Sequence, residues 1–199
     1  SGLKYVGFKA FELETNASIK EELTGLECCI VALTGRITVS DGEQTFEEIG
    51  RRESVFEKVP TDSVYVSNGR TVEVTANTPA RIALCYAPSD KQLPTKLIKA
   101  EDNGIEKRGK YNNQRLVHNI LPDSDSTANS VLVVEVFTES GNWSSYPPHK
   151  HDKDNLPEES MLEESYYHEM DPPQGFVFQR VYTEDKSMDE TMTVENKDT

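Results

Sequence analysis

Apolar and polar residues alternate along most of this chain with a period of two, the repeat of a strand that buries one face. In the first ninety residues the candidate strands are Tyr5–Leu13, Cys28–Val39, Ser54–Val59, Val64–Ser67, Thr71–Ala76 and Arg81–Tyr86. Later ones are Val131–Phe137, Phe176–Thr183 and a last strand begun by Glu190–Glu195. Turn formers stand between them: Thr34-Gly35, Asp41-Gly42, Asn68-Gly69, Thr78-Pro79 and Pro172-Pro173-Gln174-Gly175. Asn68-Gly69 predicts a tight hairpin, because a primed turn needs residues that tolerate positive φ. Short strands at this spacing, without long helical patterns between them, predict an antiparallel sandwich or barrel. Pro88 to Asn129 breaks the rhythm and predicts a long ordered connection, flexible near 123–129. Its basic, Asn-rich stretch Glu106–Arg115 is a solvated connector, with a carboxylate- or phosphate-holding turn as the alternative. The chain ends on Asn196-Lys197-Asp198-Thr199, turn-like and with nothing expected to pair against it.

Composition narrows the class. The 199 residues suffice for one large or two small domains. Net charge is −14, of which the segment from Lys150 to Thr199, with 14 acids and 5 bases, carries −9. That balance disfavours nucleic acid, whose phosphates require clustered Lys and Arg, and an anionic membrane surface. No apolar run approaches the roughly 20 residues of a spanning helix. Cys28, Cys29 and Cys85 sit among apolar residues, too few and too oddly spaced for a disulfide framework or a metal knuckle. Buried free thiols in a reducing cytoplasm are the expectation.

The candidate chemistry lies in Pro147-Pro148-His149-Lys150-His151 and in Met161–Met170, with an acidic, proline-containing loop between them. On a strand, His149 and His151 project together and can chelate one metal ion through neutral imidazoles. In the second segment Leu162, Glu164, Tyr166, His168 and Met170 share one face, apolar at its ends and so expected inward. Phase therefore selects Glu164 over Glu163 as the third ligand. Two imidazoles and a carboxylate suit Zn, Fe, Mn, Co or Ni. His168, roughly 13 Å beyond Glu164 on an extended strand, is expected as a substrate-facing or core histidine. Tyr166 and Tyr182 read as core tyrosines with tethered hydroxyls, or as catalytic acids. Arg180 alternates with Phe178 and Tyr182, placing it to meet a carboxylate. His118 is expected in the connector. The half before it contains no histidine, so it is expected to bind no metal.

Gly141…His149-x-His151…Glu164…Gly175 resembles the first metal motif of the cupins: a glycine, a His-x-His pair, a glutamate and a glycine. Trp143–Asp152, Pro157-Glu158-Glu159, Leu162–His168, Gln174–Thr183 and Asp189–Met192 resemble, more specifically, the 5-deoxy-glucuronate isomerase family of bicupins. Leu93–Ile98 and Asn119–Pro122 extend the likeness across the whole chain. The long intervals before His149 and between His151 and Glu164 depart from a general cupin and agree with this family.

The resemblance implies an all-β fold of two cupin jelly rolls. Residues 1–92 would form a domain without a metal motif, 93–130 a connector, and 131–199 the metal-binding domain without its final strands. It further implies that family members start before Ser1, and that a motif with a fourth ligand histidine follows Glu195, so that the chain reads as an internal fragment. The implied activity is metal-dependent aldose–ketose isomerisation in myo-inositol catabolism, on a small sugar-acid substrate, in a homo-oligomer. His149, His151 and Glu164 would hold one divalent metal ion. His168, Tyr166 and Glu190 are candidate bases, and Arg180 and Tyr182 candidate substrate contacts. A non-catalytic sugar-acid-binding cupin and a metal-dependent oxygenase are the alternatives.

Overall fold

The computed structural model describes residues 2–146 and 149–199. It divides into two compact units, residues 1–163 and 164–199. In chain order the first unit holds β1 (Gly7–Leu13), β2 (Ser18–Glu22), β3 (Leu26–Thr34), β4 (Ile37–Ser40), β5 (Thr45–Ile49) and β6 (Ser63–Val66). It continues with β7 (Thr71–Ala76), β8 (Ala80–Pro88), β9 (Lys96–Ile98), β10 (Gly104–Arg108), β11 (Arg115–Leu121) and β12 (Val133–Thr138). The second unit holds β13 (Phe176–Tyr182) and β14 (Asp189–Glu195). The chain is all-β, and no helix among the described residues is long and apolar enough to cross a membrane.

Strands β1-β8-β3-β6-β9 form one antiparallel sheet and β2-β7-β4-β5 a second. Their inner faces enclose a core of Leu13, Ile30, Ile37, Val39, Val64, Val72, Val74, Ile82 and Leu84. On the other side of the five-stranded sheet, Cys29, Val31, Tyr65, Ala83 and Ile98 pack against Ile120, Leu121, Val131 and Val133 of the β10-β11-β12 region. A sheet covered on both faces reads as a continuous apolar run, which is why Cys28–Ala32 shows no alternation. Burial pushes all three thiols above their ordinary pKa, and all three are free.

Four local expectations are corrected by the structure. Ser54–Val59 is no strand: Ser54 and Glu57 form a reciprocal capping box around a single 3-10 turn, Val55–Glu57. Asn68-Gly69 is a corner between sheets rather than a hairpin, since β6 pairs with β3 and β9 while β7 pairs with β2 and β4. Asn68 Oδ1 accepts from Gly25 N at 2.7 Å, and Gly69 N donates to Leu23 O at 2.6 Å, fixing that corner. The expected connector contributes β9, β10 and β11 to sheets. Finally, the terminal turn has a partner within the second unit: His168 N donates to Asp198 O at 2.9 Å and Lys197 N to His168 O at 2.7 Å. Strands β2 and β5 escape the alternation pattern because each is a charged edge strand with few apolar side chains against the core, Ile19 on β2 and Phe46 and Ile49 on β5.

Charged residues inside the first unit tie its layers together. Glu27, fully buried on β3, accepts from Tyr65 Oη at 2.7 Å and from the backbone N–H groups of Asn129, Ser130 and Val131. Arg52, also buried, donates to Leu33 O and Val59 O and forms a bidentate pair with Glu135 of β12. Glu135 also meets His118 Nδ1 at 3.2 Å. Gly35 and Gly50 make the close corner that presents Arg52. A Cβ on either, at φ +78° or +108°, would lie 2.3 Å from a backbone oxygen.

Candidate metal centre

Residues 149–170 contain no strand; an isolated bridge between Asn155 and Glu159 is the only ladder contact described there. Pro147 and Pro148, which open the histidine stretch, lie outside the described residues. The expected strand phase is therefore not what positions these side chains. Several backbone donors here go to side-chain acceptors instead, which competes with ladder formation. Asp152 N and Lys153 N donate to Glu159 Oε1 at 2.7 and 3.1 Å, and Met161 N donates to Asp154 Oδ1 at 3.0 Å. Leu162 N donates to His151 O at 3.2 Å, closing the loop back onto the histidine pair.

The two imidazoles lie edge to face, ring centroids 4.9 Å apart. His151 Nδ1 is 3.0 Å from Ser160 O. A carbonyl oxygen can only accept, so Nδ1 carries the proton and Nε2 keeps the lone pair a metal requires. Glu164 joins them: candidate ligand atoms of His149, His151 and Glu164 all lie within 4.8 Å of one another, the one such group found among the described residues. Tyr166 Oη donates to Glu164 Oε2 at 2.9 Å, and burial with the neighbouring carboxylate raises the tyrosine's pKa. A donor set of two imidazoles and one carboxylate fits a divalent ion and leaves coordination positions for water or substrate.

Glu163 is engaged elsewhere. Its carboxylate accepts from the successive backbone N–H groups of Lys4, Tyr5 and Val6, the shortest bond 2.6 Å, and these bonds hold its pKa below the ordinary range. In the second unit the His168 ring is half-buried, burial lowers its pKa, and its Nδ1 has no hydrogen-bond partner. Arg180 forms a bidentate pair with Asp189 of the adjacent strand at 2.7 and 2.6 Å. Tyr182 lies beneath Arg180 and Lys186, with the Lys186 Nζ 3.0 Å from its ring centroid. The hairpin thus uses the Arg180 guanidinium itself, on an exposed face. Glu190 is exposed opposite Val181.

Sequence reasoning missed that Glu159 and Glu163 accept hydrogen bonds from backbone N–H groups. It also missed Glu27, Glu135 and His118 as buried polar groups. A signal existed for two of these: an acid within an apolar run, as in Leu26-Glu27-Cys28 and Val134-Glu135-Val136, is buried only when paired.

Residues 1–199 match the KduI/IolB family. The chain is 74% identical over 196 residues to 5-deoxy-glucuronate isomerase of Bacillus licheniformis, covering 98% of this chain and 72% of that protein. Against the enzyme of the same name from Bacillus subtilis (strain 168), identity is 71% over 197 residues, 99% of this chain and 73% of the relative. Among solved structures, an IolB-like protein from Salmonella typhimurium LT2 superposes with a TM-score of 0.94 at 47% identity, over 98% of this chain and 74% of that one.

Proposed function

The chain belongs to the KduI/IolB family, and from that premise we propose that the protein isomerises 5-deoxy-D-glucuronate to 2-deoxy-5-keto-D-gluconate with one divalent metal ion held by His149, His151 and Glu164. The observation that carries this is the convergence of those three donors in a chain 74% identical to a 5-deoxy-glucuronate isomerase. The chemistry such an ion supplies is Lewis-acid polarisation of the substrate aldehyde and its neighbouring hydroxyl.

The overall change moves one hydrogen from C2 to C1 and one from the C2 hydroxyl to the C1 oxygen, with no external oxidant or reductant. A base must take the C2 proton and return it at C1. Of the three candidates we favour His168: burial lowers the pKa of its half-buried ring, and its Nδ1 makes no hydrogen bond. The Tyr166 hydroxyl is engaged in orienting Glu164. Glu190 stands exposed on the hairpin. Arg180 can meet the substrate carboxylate only by sharing or exchanging its bond to Asp189.

The test is conversion of 5-deoxy-D-glucuronate in deuterated water, followed by proton NMR, with wild type and a His168→Gln variant. Ketose formation by the wild type, and retained metal with conversion lowered at least about a hundredfold in the variant, is expected for a general base. Metal-loaded wild type that binds the sugar acid without converting it would favour a non-catalytic binding protein.

A further inference from the structure

Twelve residues separate His151 from Glu164, and within the loop they form one side chain binds the backbone beside the histidine. Glu159 reaches back to both sides of His151. Its Oε1 accepts from Asp152 N at 2.7 Å and Lys153 N at 3.1 Å, and its Oε2 lies 3.3 Å from Lys150 Nζ. The side chain is 13% exposed, so these partners replace water around most of the carboxylate. Residue 160, immediately after it, supplies the carbonyl that fixes the His151 tautomer. Asn155 completes the closure, its N–H donating to Glu159 O at 2.8 Å.

We propose that Glu159 is the positioning residue of the metal centre: by gripping residues 150, 152 and 153 and carrying the Ser160 carbonyl to His151 Nδ1, it presents His151 Nε2 as a ligand. This rests on the assignment of His149, His151 and Glu164 as metal ligands. No ligand role falls to Glu159 itself, because both its oxygens are occupied by donors from its own loop. The physical reason such a device is needed is chain entropy. A strand ladder would hold a His-x-His pair in register without help, but this pair stands outside any strand. Without the grip, the backbone on either side of His151 would sample many conformers, and each metal-binding event would have to select among them.

The experiment is titration of the metal-free full chain with Co²⁺, following the visible d–d bands that report ligand number and geometry, with far-UV circular dichroism as a control on folding. Glu159→Ala should weaken Co²⁺ binding about 10–100-fold, the usual effect of losing an outer-shell partner, and should alter the band shape. Glu159→Gln keeps an oxygen for Asp152 N and Lys153 N, and is expected to retain wild-type bands and an affinity within about threefold, since the grip acts through geometry. Glu159→Ala that matches wild type in affinity and spectrum would overturn the positioning role. So would Glu159→Gln failing as badly as alanine, since charge and not geometry would then be responsible. Wild type that binds no Co²⁺, or His151→Ala that binds it unchanged, would instead overturn the ligand assignment beneath the proposal.

Discussion

The same device appears twice in the first unit, with different consequences. Glu27 and Glu163 each accept three successive backbone N–H groups, from Asn129–Val131 and from Lys4–Val6. Glu27 does so fully buried between sheets, where water cannot take over its donors. Glu163 does so half-exposed, at the residue before a candidate ligand, where water can. The comparison separates two uses of one hydrogen-bond pattern: inside the sandwich it holds the fold, and along the loop it sets where a chain segment points. Arg52, Glu135 and His118 belong with Glu27 on this division; Glu159 belongs with Glu163.

The largest effect should come from breaking the buried pair. Arg52→Met leaves Glu135 buried without its main partner and should cost about 3–5 kcal/mol in urea denaturation. The double variant Arg52→Met with Glu135→Leu should recover much of that loss, because an apolar pair leaves no charge behind. A double variant less stable than either single one would place these charges outside the interior.

Acid should act on the same group. Burial alone would raise the Glu135 pKa, but hydrogen bonds from His118 and Arg52 overcome it and hold it below the ordinary range. A carboxylate whose pKa is depressed on folding contributes stability above its unfolded value, about 4.3, and loses it as pH falls through the folded value. The urea midpoint of wild type should therefore fall from pH 5 towards pH 3, more steeply than that of the Arg52→Met, Glu135→Leu double variant. Equal slopes would remove Glu135 from the acid response.

What was legible in the sequence follows the same division. Strand β7 is read to the residue, because Thr71–Ala76 buries alternate side chains, and β8, β12, β13 and β14 are each found to within a few residues. Where a local polar interaction competes, alternation misleads. The Ser54–Glu57 capping box produced a turn, and the Asn68-Gly69 turn joins two sheets that no local pattern could assign. The three candidate ligands were picked on strand phase, whereas the structure brings them together through a loop closed by side-chain acceptors. Their chemistry was visible in the residue types, but the means of bringing them together was not. Acids that bind backbone donors follow no periodicity, so nothing in the pattern marked Glu159 or Glu163 for that role.

The smallest structural effect is expected at Glu163. Glu163→Gln removes a charge whose place water can partly fill, so its thermal midpoint should stay close to wild type. Its Co²⁺ affinity should fall far less than that of Glu164→Gln, which removes the charge of a candidate ligand. Equal losses of Co²⁺ affinity in the two variants would erase the distinction between holding a segment and holding an ion.

The central claim, a metal-dependent isomerase using His149, His151 and Glu164, is tested most directly by one measurement: 5-deoxy-D-glucuronate conversion by the same preparation before chelation, after it, and after one equivalent of divalent metal is restored. Loss of conversion on chelation with recovery at one equivalent in wild type, and no recovery in Glu164→Gln, is the predicted result. Conversion that survives with metal content near zero would contradict it.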